Sequence, residues 1–348
     1  MAEGVAVLAR HEGLTLRPYR PGDEEGIFAL FRTAYGKDRS PAYWRWKFCE
    51  NPAGLQIMLA VTGIGEVVGQ YAAVPAWAAI GGPWAPKDGR RYLLSQAVES
   101  MVEPRFRRGL KNPGLQVSLV RRFYEEYMGP EAGAMAYGFP IPVYCRLLVR
   151  TGVCTVLHRV VQLERELTDD ARDPDRGLAA LRYRIEQVSR FPAAVDGLWR
   201  RCQQELPLAI IRDARYLNWR YADCPGGTYT MLLATDRWTG QIAGAAVLRL
   251  GVEGRPVALL VDWLVPGRSR GLAEALLRHC HGLALASGQS RIDAWFPEYA
   301  PQFQLLKTHG YQPSPTQYEI VVEPFHPELS REWVQGHWYY TMGDSDIY

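Results

Sequence analysis

Basic side chains and glycines crowd one short stretch of this 348-residue chain: Arg105, Arg107, Arg108 and Lys111, interleaved with Gly109 and Gly114. A run rich in Val and Leu precedes it and stops at Pro104, and after it Leu115, Leu119 and Phe123 recur at near-helical spacing. Tyr92–Leu119 therefore predicts a strand, a basic loop and a helix N-terminus. Such a loop turns backbone N–H groups toward an anion, and the helix dipole favours negative charge at the same place. The lysine and hydroxyl of GxxxxGK[ST] are missing, so the loop is not of the nucleotide-hydrolase kind. On this stretch alone, a tight strand-to-helix turn carrying solvated arginines is the competing reading.

Other reactive side chains carry less. Tyr43, Trp44 and Trp46 with Arg45 and Lys47 have the chemistry to stack a sugar or hold a charged acceptor, but packing on a sheet uses the same residues. His279-Cys280-His281 suggests a metal until it is placed on a helix, where adjacent side chains point about 100° apart and cannot converge on one ion. No metal site is expected. Asp344, Asp346 and the C-terminal carboxylate of Tyr348 read as a solvated tail rather than as part of a cleft. Arg121-Arg122 and Arg200-Arg201 read as solvated helix faces.

Composition bounds the rest. Hydrophobic residues make up 47% and charged residues 22%, which is globular rather than disordered. The length suits two domains. A net charge of +3 does not argue for a nucleic-acid surface. No apolar run nears the roughly 20 residues that span a bilayer, and the N-terminus has no signal-peptide pattern. The six cysteines are scattered without a C-x-x-C, as expected of a reduced, cytoplasmic chain with buried thiols.

The elements that must position the basic loop follow in order. Leu14–Tyr19 alternates as a strand, Pro21-Gly22-Asp23 starts a helix, and Ile27, Leu30, Phe31 and Ala34 form its apolar face. Strands are expected over Gln56–Val61 and Val67–Val74, then after the loop a helix to about Met128, a strand over Ala134–Phe139 and a helix ending near Gly152. A second copy of the pattern follows. Tyr43-x-x-Trp46-Lys47-Phe48-x-x-x-Pro52-x-Gly54 matches Tyr216-x-x-Trp219-Arg220-Tyr221-x-x-x-Pro225-x-Gly227, every pair being 173 positions apart. Gly65–Gly69 resembles Gly240–Gly244, and Phe139-Pro140…Leu147-Leu148…Gly152 resembles Phe296-Pro297…Leu305-Leu306…Gly310. The reading is a duplicated domain: residues 1–167, a charged linker at 168–182, and residues 183–348, the second copy ending in an aromatic strand at Trp338–Met342.

Each copy reads β-α-(α)-β-β-β-α-β-α-β with the basic loop after the fourth strand. This order, with Val102-x-Pro104-x-Phe106-Arg107-Arg108-Gly109 at the loop and Ala136-Tyr-Gly-Phe139-Pro140 in the fifth strand, resembles the GNAT (GCN5-related N-acetyltransferase) superfamily, here as a tandem two-domain member. The resemblance implies an α/β fold of two GNAT-like domains, each a mixed, mostly antiparallel sheet flanked by helices. It implies an acyltransferase that moves an acetyl group from acetyl-CoA to a primary amine of a small molecule, an amino sugar or amino acid derivative, by direct attack. Neither nucleic acid nor membrane is implied as a partner, and a homodimer is compatible with it. Two alternatives stay open, a non-catalytic scaffold or binding protein and an aminoacyl-tRNA-dependent transferase of similar fold.

In that family the co-substrate lies where strands four and five splay apart. By resemblance Met101 and Val102 pair with the pantetheine, and Arg107, Arg108, Gly109, Leu110, Lys111, Asn112 and Gly114 form the pyrophosphate loop. The family spacing R-x-x-G-x-G/A is broken there, since Gly109 comes early and Lys111-Asn112-Pro113 looks inserted. In the second copy, Arg270-x-x-Ala273-x-Ala275 keeps the spacing and replaces both glycines, so the first copy is the expected CoA site. Glu99, three residues before Val102, is the candidate base, and Asp262 is its counterpart before Val265. The tyrosine acid of many members falls on Leu148 and Leu306, which leaves Tyr144 and Tyr137 as substitutes.

Overall fold

The computed structural model describes residues 13–107, 114–168, 181–252 and 254–348. Arg108–Pro113 of the basic loop and most of the expected linker lie outside these residues. Within them the chain forms two compact units: one from residues up to 76, 92–158 and 318–331, the other from 77–91, 159–317 and 332–348. Each unit takes segments from both sides of the expected linker at 168–182.

In the first unit, β1 (Leu14–Pro18), β2 (Gln56–Thr62) and β3 (Val67–Ile80) form an antiparallel meander, followed by β4 (Arg91–Val102) beside a parallel β5 (Gly133–Gly138). β3 runs on past the expected Val74, and Trp77–Ile80 belong to the second unit, where they pair with β8 (Leu208–Ile210). Two helices show why the sheet is covered as it is. α1 (Glu24–Tyr35) places Ile27, Leu30 and Phe31 on one buried stripe, carries Glu24 and Glu25 in its first turn, and ends on Gly36 at φ 69°. The short α2 (Pro41–Trp44) runs into a π-helical turn at Arg45–Cys49 that buries Trp44, Trp46, Lys47 and Phe48. α3 (Leu115–Tyr127) follows β4 and buries Leu115, Leu119 and Phe123 on the opposite face of the sheet. It comes so close at Gly69 that a Cβ there would meet Leu119 at 2.9 Å, which is why β3 needs a glycine at this point.

The second unit repeats the plan. β7 (Tyr183–Val188), β9 (Tyr229–Asp236), β10 (Ile242–Val252) and β11 (Arg255–Leu264) are antiparallel neighbours, and β11 lies parallel to β12 (Arg291–Trp295). α6 (Ala214–Leu217), which follows α5 (Val195–Gln203), also runs into a π-helical turn, at Asn218–Ala222. α7 (Arg270–Ala286) covers the sheet after β11, as α3 does after β4. The last strands exchange. The end of β13 (Gln312–Pro324) pairs with β5 in the first unit, while the end of β6 (Thr155–Glu166), the strand after α4 (Pro142–Arg150), pairs with β12 in the second. This is the mixed α/β architecture expected from the sequence. No helix among the described residues is long and apolar enough to cross a membrane.

The C-terminus departs from expectation. Trp338–Met342 forms no strand beyond a single bridge at Trp338, and Met342–Asp344 turns as a 3-10 helix. The reason is chemical: Thr341 and Asp344 cap each other's backbone, and buried polar partners hold the segment in place of a ladder. Asp344 is 2% exposed and not part of a solvated tail.

Candidate active site

In both units the parallel ladder ends early. β4 pairs with β5 only from Leu93 to Gln96, then continues alone to Val102; β11 pairs with β12 from Val257 to Leu260, then continues to Leu264. Each unit therefore contains a V in which one strand runs on past its parallel partner; in the second, the Trp263 N–H and carbonyl just past the ladder are already bonded, to Asp262 and Tyr339.

In the first unit the V opens at Glu99. Its φ of 47° is the positive value of a non-glycine residue among those described, a conformation that packing must enforce. Side-chain facing shows that it is an extra residue. Ala97 and Val102 face the cluster under α3, while Val98 and Met101, three apart, both face the cluster under α1. Strict alternation would send Val98 and Met101 to opposite faces, so Glu99 is the bulge that restores the register. Gln70 of β3 steadies it by donating Nε2 to the Glu99 carbonyl at 3.1 Å.

The Glu99 side chain is 8% exposed and does not point into solvent. Its Oε1 receives the Arg39 guanidinium and the Lys47 ammonium, the latter at 3.2 Å, while its Oε2 has no hydrogen-bond partner. Neither Arg39 nor its pairing was visible in the sequence pattern; the matching Arg212 in the second copy, 173 positions on, is the signal that could have found it. Of the aromatic and basic cluster expected from Tyr43 to Lys47, Trp44 and Trp46 are buried packing, each 3% exposed, and Lys47 is drawn onto Glu99, while Tyr43 is half-buried and Arg45 exposed.

Tyr144 lies on the first turn of α4 and is brought to the same V, facing Ser100 on β4 and Gln116 on α3. Burial pushes its pKa well up, with Ser100 and Gln116 pulling the other way, but its hydroxyl meets hydrogen-bond geometry with neither. Tyr137 lies in the paired part of β5, opposite Gln96, with its ring edge-on to Phe139 at 6.2 Å. Met101 and Val102 are buried, at 2% and 6% exposure. Arg107 turns back, its Nε donating to the Val102 carbonyl at 2.7 Å, and so occupies one of the backbone groups the V would otherwise present. Gly114 caps α3, and the remaining expected loop residues, Arg108, Gly109, Leu110, Lys111 and Asn112, are outside the described part.

The second V is furnished differently. Arg212, wholly buried, donates Nε to Asp262 and Nη2 to Asp344, both at 2.7 Å. Tyr221 donates to the other Asp262 oxygen at 2.8 Å. Arg220 donates to the carbonyls of Gly343, Ser345 and Tyr348, and Tyr229 donates to that of Tyr348. The Tyr348 ring packs edge-on against Trp295 at 5.1 Å. The C-terminal segment thus lies against β11 just past the end of its ladder, so close that a Cβ on Gly343 would meet Tyr221 Oη at 2.1 Å. Farther along, a cleft of about 250 Å³ opens between Val265, Pro266 and Gly267 after β11, Arg270 and Ala273 on α7, and α8 (Pro301–Thr308). Gln302, at its edge, is 9% exposed and its Oε1 has no partner. This cleft was missed because the spacing was read from Arg270. Taken from Arg268, the run Arg268-x-x-Gly271-x-Ala273 satisfies R-x-x-G-x-G/A in full.

No protein-family model and no curated protein sequence matches the chain. Solved structures do. A probable N-acyltransferase from Enterococcus faecalis is similar with a TM-score of 0.66 at 13% identity, covering 92% of this chain and 75% of that one. A GCN5-related N-acetyltransferase from Anabaena variabilis gives 0.64 at 11% identity, over 90% of this chain and 73% of its own. The Saccharomyces cerevisiae N-myristoyltransferase with bound myristoyl-CoA gives 0.54 at 10% identity, over 90% and 79%. On this likeness the chain has the fold of the GCN5-related N-acetyltransferases.

Proposed function

We propose that the protein is an acyl-CoA-dependent N-acyltransferase that carries an acetyl group to a primary amine of a small molecule, with its chemistry in the V between β4 and β5. The observation that carries this is where unpaired polar atoms gather. Buried groups are nearly always hydrogen-bonded, so orphans call for a reason. In the first unit Glu99 Oε2, Arg39 Nε, Gln70 Oε1 and Tyr144 Oη are all buried without partners around one bulge.

The groups suit acyl transfer by direct attack. The acceptor enters as an ammonium, and Glu99 Oε2, the oxygen left open by Arg39 and Lys47, takes a proton from it. The free amine attacks the thioester carbonyl held by the unpaired edge of β4 beyond Glu99. The tetrahedral adduct collapses and the carbon–sulfur bond breaks; Tyr144 gives its phenol proton to the departing thiolate and takes up the remaining proton from the adduct nitrogen, so that the amide leaves neutral and the phenol is restored. Its raised pKa keeps the phenol protonated, so it acts by passing a proton on from the adduct nitrogen and not by standing as a phenolate.

A second reading keeps the reaction and moves the co-substrate to the cleft beside Val265, favoured by the complete loop spacing at Arg268–Ala273 and by the apolar lining. Against it, the carboxylate of Glu205 accepts from the Gly267 N–H where an anion would bind, and, in the register that aligns Leu148 with Leu306, the position matching Tyr144 is Gln302, an amide with no acidic proton to give. The test is calorimetric binding of acetyl-CoA and thiol release with a panel of primary amines. Binding together with release that collapses in Tyr144→Phe supports the first reading; no binding and no release sinks both.

A further inference from the structure

The two Vs contain the same cation at the same place, and only Arg212 has all three of its guanidinium nitrogens hydrogen-bonded, while Arg39 Nε is left open. Arg39 and Arg212 are 173 positions apart, as are Lys47 and Arg220, and each arginine meets an acid three residues before a valine, Glu99 or Asp262. Arg212 uses two edges of its guanidinium, one for Asp262 and one for the Asp344 carboxylate brought in by the C-terminal segment. Arg39 uses one. Its plane stacks on Tyr43 and Phe31, with ring centroids at 4.5 and 5.0 Å, and Glu99 takes one nitrogen. Its Nε is buried and makes no hydrogen bond, and the adjoining Glu99 Oε2 is equally open on a side chain 8% exposed.

Resting on the first-unit reading above, we propose that the acceptor is an amine that also bears a carboxylate, as amino acids do, and that Arg39 binds this carboxylate as Arg212 binds Asp344. The open guanidinium nitrogen and the open carboxylate oxygen belong to the two partners of one ion pair and are of opposite charge. A zwitterion brings the complement of both, its carboxylate to Arg39 and its ammonium to Glu99. An amino sugar without an acid group would satisfy the second and leave the first buried and unpaired, the situation in which a polar site rejects a ligand most strongly. The faces of the guanidinium being covered by rings, the approach is in its plane, the geometry in which arginine recognises carboxylates.

The experiment uses the full chain with acetyl-CoA and two matched acceptor series, the amino acids and their C-terminal amides, read by thiol release and by calorimetric binding. The expected result is a preference in kcat/KM of about 100-fold for acids over amides. In Arg39→Met this preference falls below about 3-fold while the KM for acetyl-CoA is unchanged, and Arg39→Lys restores part of it. Equal rates on acids and amides in the wild-type protein overturn the inference and leave the acyltransferase reading intact. So does an Arg39→Met variant that slows both series alike, since Arg39 would then only hold Glu99. If no amine is turned over, the acyltransferase reading fails, and binding decides the inference separately: amino acids bound at least 10-fold tighter than their amides support it, and equal binding overturns it. Should the variant not fold, as judged by its thermal transition, the wild-type comparison alone decides.

Discussion

The two Vs start from one pattern and end in opposite states. Around Asp262 the chain itself supplies partners to both carboxylate oxygens: Arg212 and Thr341 bond one, Tyr221 the other, and Arg212 also reaches Asp344. Around Glu99 equivalent residues leave a guanidinium nitrogen, a carboxylate oxygen and a phenol unpaired. A satisfied buried network contributes rigidity, while an unsatisfied one costs stability and persists where a ligand completes it. The same arginine–acid pair is a structural clamp in one unit and, on the proposal made above, a binding surface in the other. What differs is the chain that reaches it and one residue type, since Tyr221, which fills the second Asp262 oxygen, stands where the first copy has Phe48.

The largest effect that can break this comparison is on stability. Arg212→Leu leaves Asp262 and Asp344 facing each other without their shared cation, and should cost about 3–5 kcal/mol. Arg39→Leu removes a cation from a carboxylate that Lys47 still holds, and should cost about 1 kcal/mol. Urea unfolding of each full-length variant, followed by tryptophan fluorescence, compares the two midpoints. Equal shifts would mean that the first cluster is as structural as the second. Next in size is Tyr144→Phe, expected to lower kcat by about 100-fold with little change in thermal midpoint. Because burial raises the Tyr144 pKa, the wild-type rate should show no alkaline loss from this group up to about pH 10. A fall in kcat with an apparent pKa near 9, absent in the phenylalanine variant, would contradict the environment described for it.

A smaller effect sharpens the contrast through pH. His281 on α7 is 1% exposed, between Arg165 at 3.2 Å and the Tyr311 hydroxyl at 2.9 Å, and burial with Arg165 and His309 pushes its pKa down to about 3. The folded protein thus keeps this imidazole neutral while the unfolded chain protonates it near its ordinary 6.5. Its contribution is fully present above pH 6.5 and is lost as pH falls from there toward 3, at up to about 1.4 kcal/mol per pH unit. His281→Gln should flatten the pH dependence of the urea midpoint between pH 6.5 and 4.5. A slope identical to that of the wild type would show that other groups govern the acid limb.

Much of this organisation was legible in the sequence because it is written in local spacing. The stripe Ile27, Leu30, Phe31 gives α1, and the 173-residue offset aligns the two π-helical turns and the two buried cations at Lys47 and Arg220. What was not legible depends on chain far away in sequence. The Asp344 carboxylate reaches Arg212 across 132 residues, so a polar tail read as solvated is in fact buried. The pairing of β13 with β5 joins residues near 322 to residues near 137, and no periodicity encodes which sheet a last strand will join. The bulge at Glu99 is a single extra residue in an apolar strand, visible only once both faces of β4 have been assigned to their clusters.

The smallest effect decides which V takes the co-substrate. If acyl-CoA lies beside β4, a cation near the start of α3 meets its phosphates, and Arg107→Ala also frees the Val102 carbonyl that its Nε now occupies. The two consequences oppose each other: a lost phosphate contact weakens binding, while an unblocked backbone group helps the pantetheine to pair with the strand. The net rise in KM for acetyl-CoA should therefore be modest, about 3- to 5-fold, on the order of 1 kcal/mol. Arg268→Ala, in the loop with the complete R-x-x-G-x-G/A spacing, should leave that KM within 2-fold if the second unit serves as scaffold. The reverse ranking, with Arg268 raising KM and Arg107 without effect, would move the co-substrate to the cleft beside Val265. The Glu205 carboxylate on the Gly267 N–H would then have to give way to the incoming anion, so Glu205→Gln should tighten acetyl-CoA binding in that case alone.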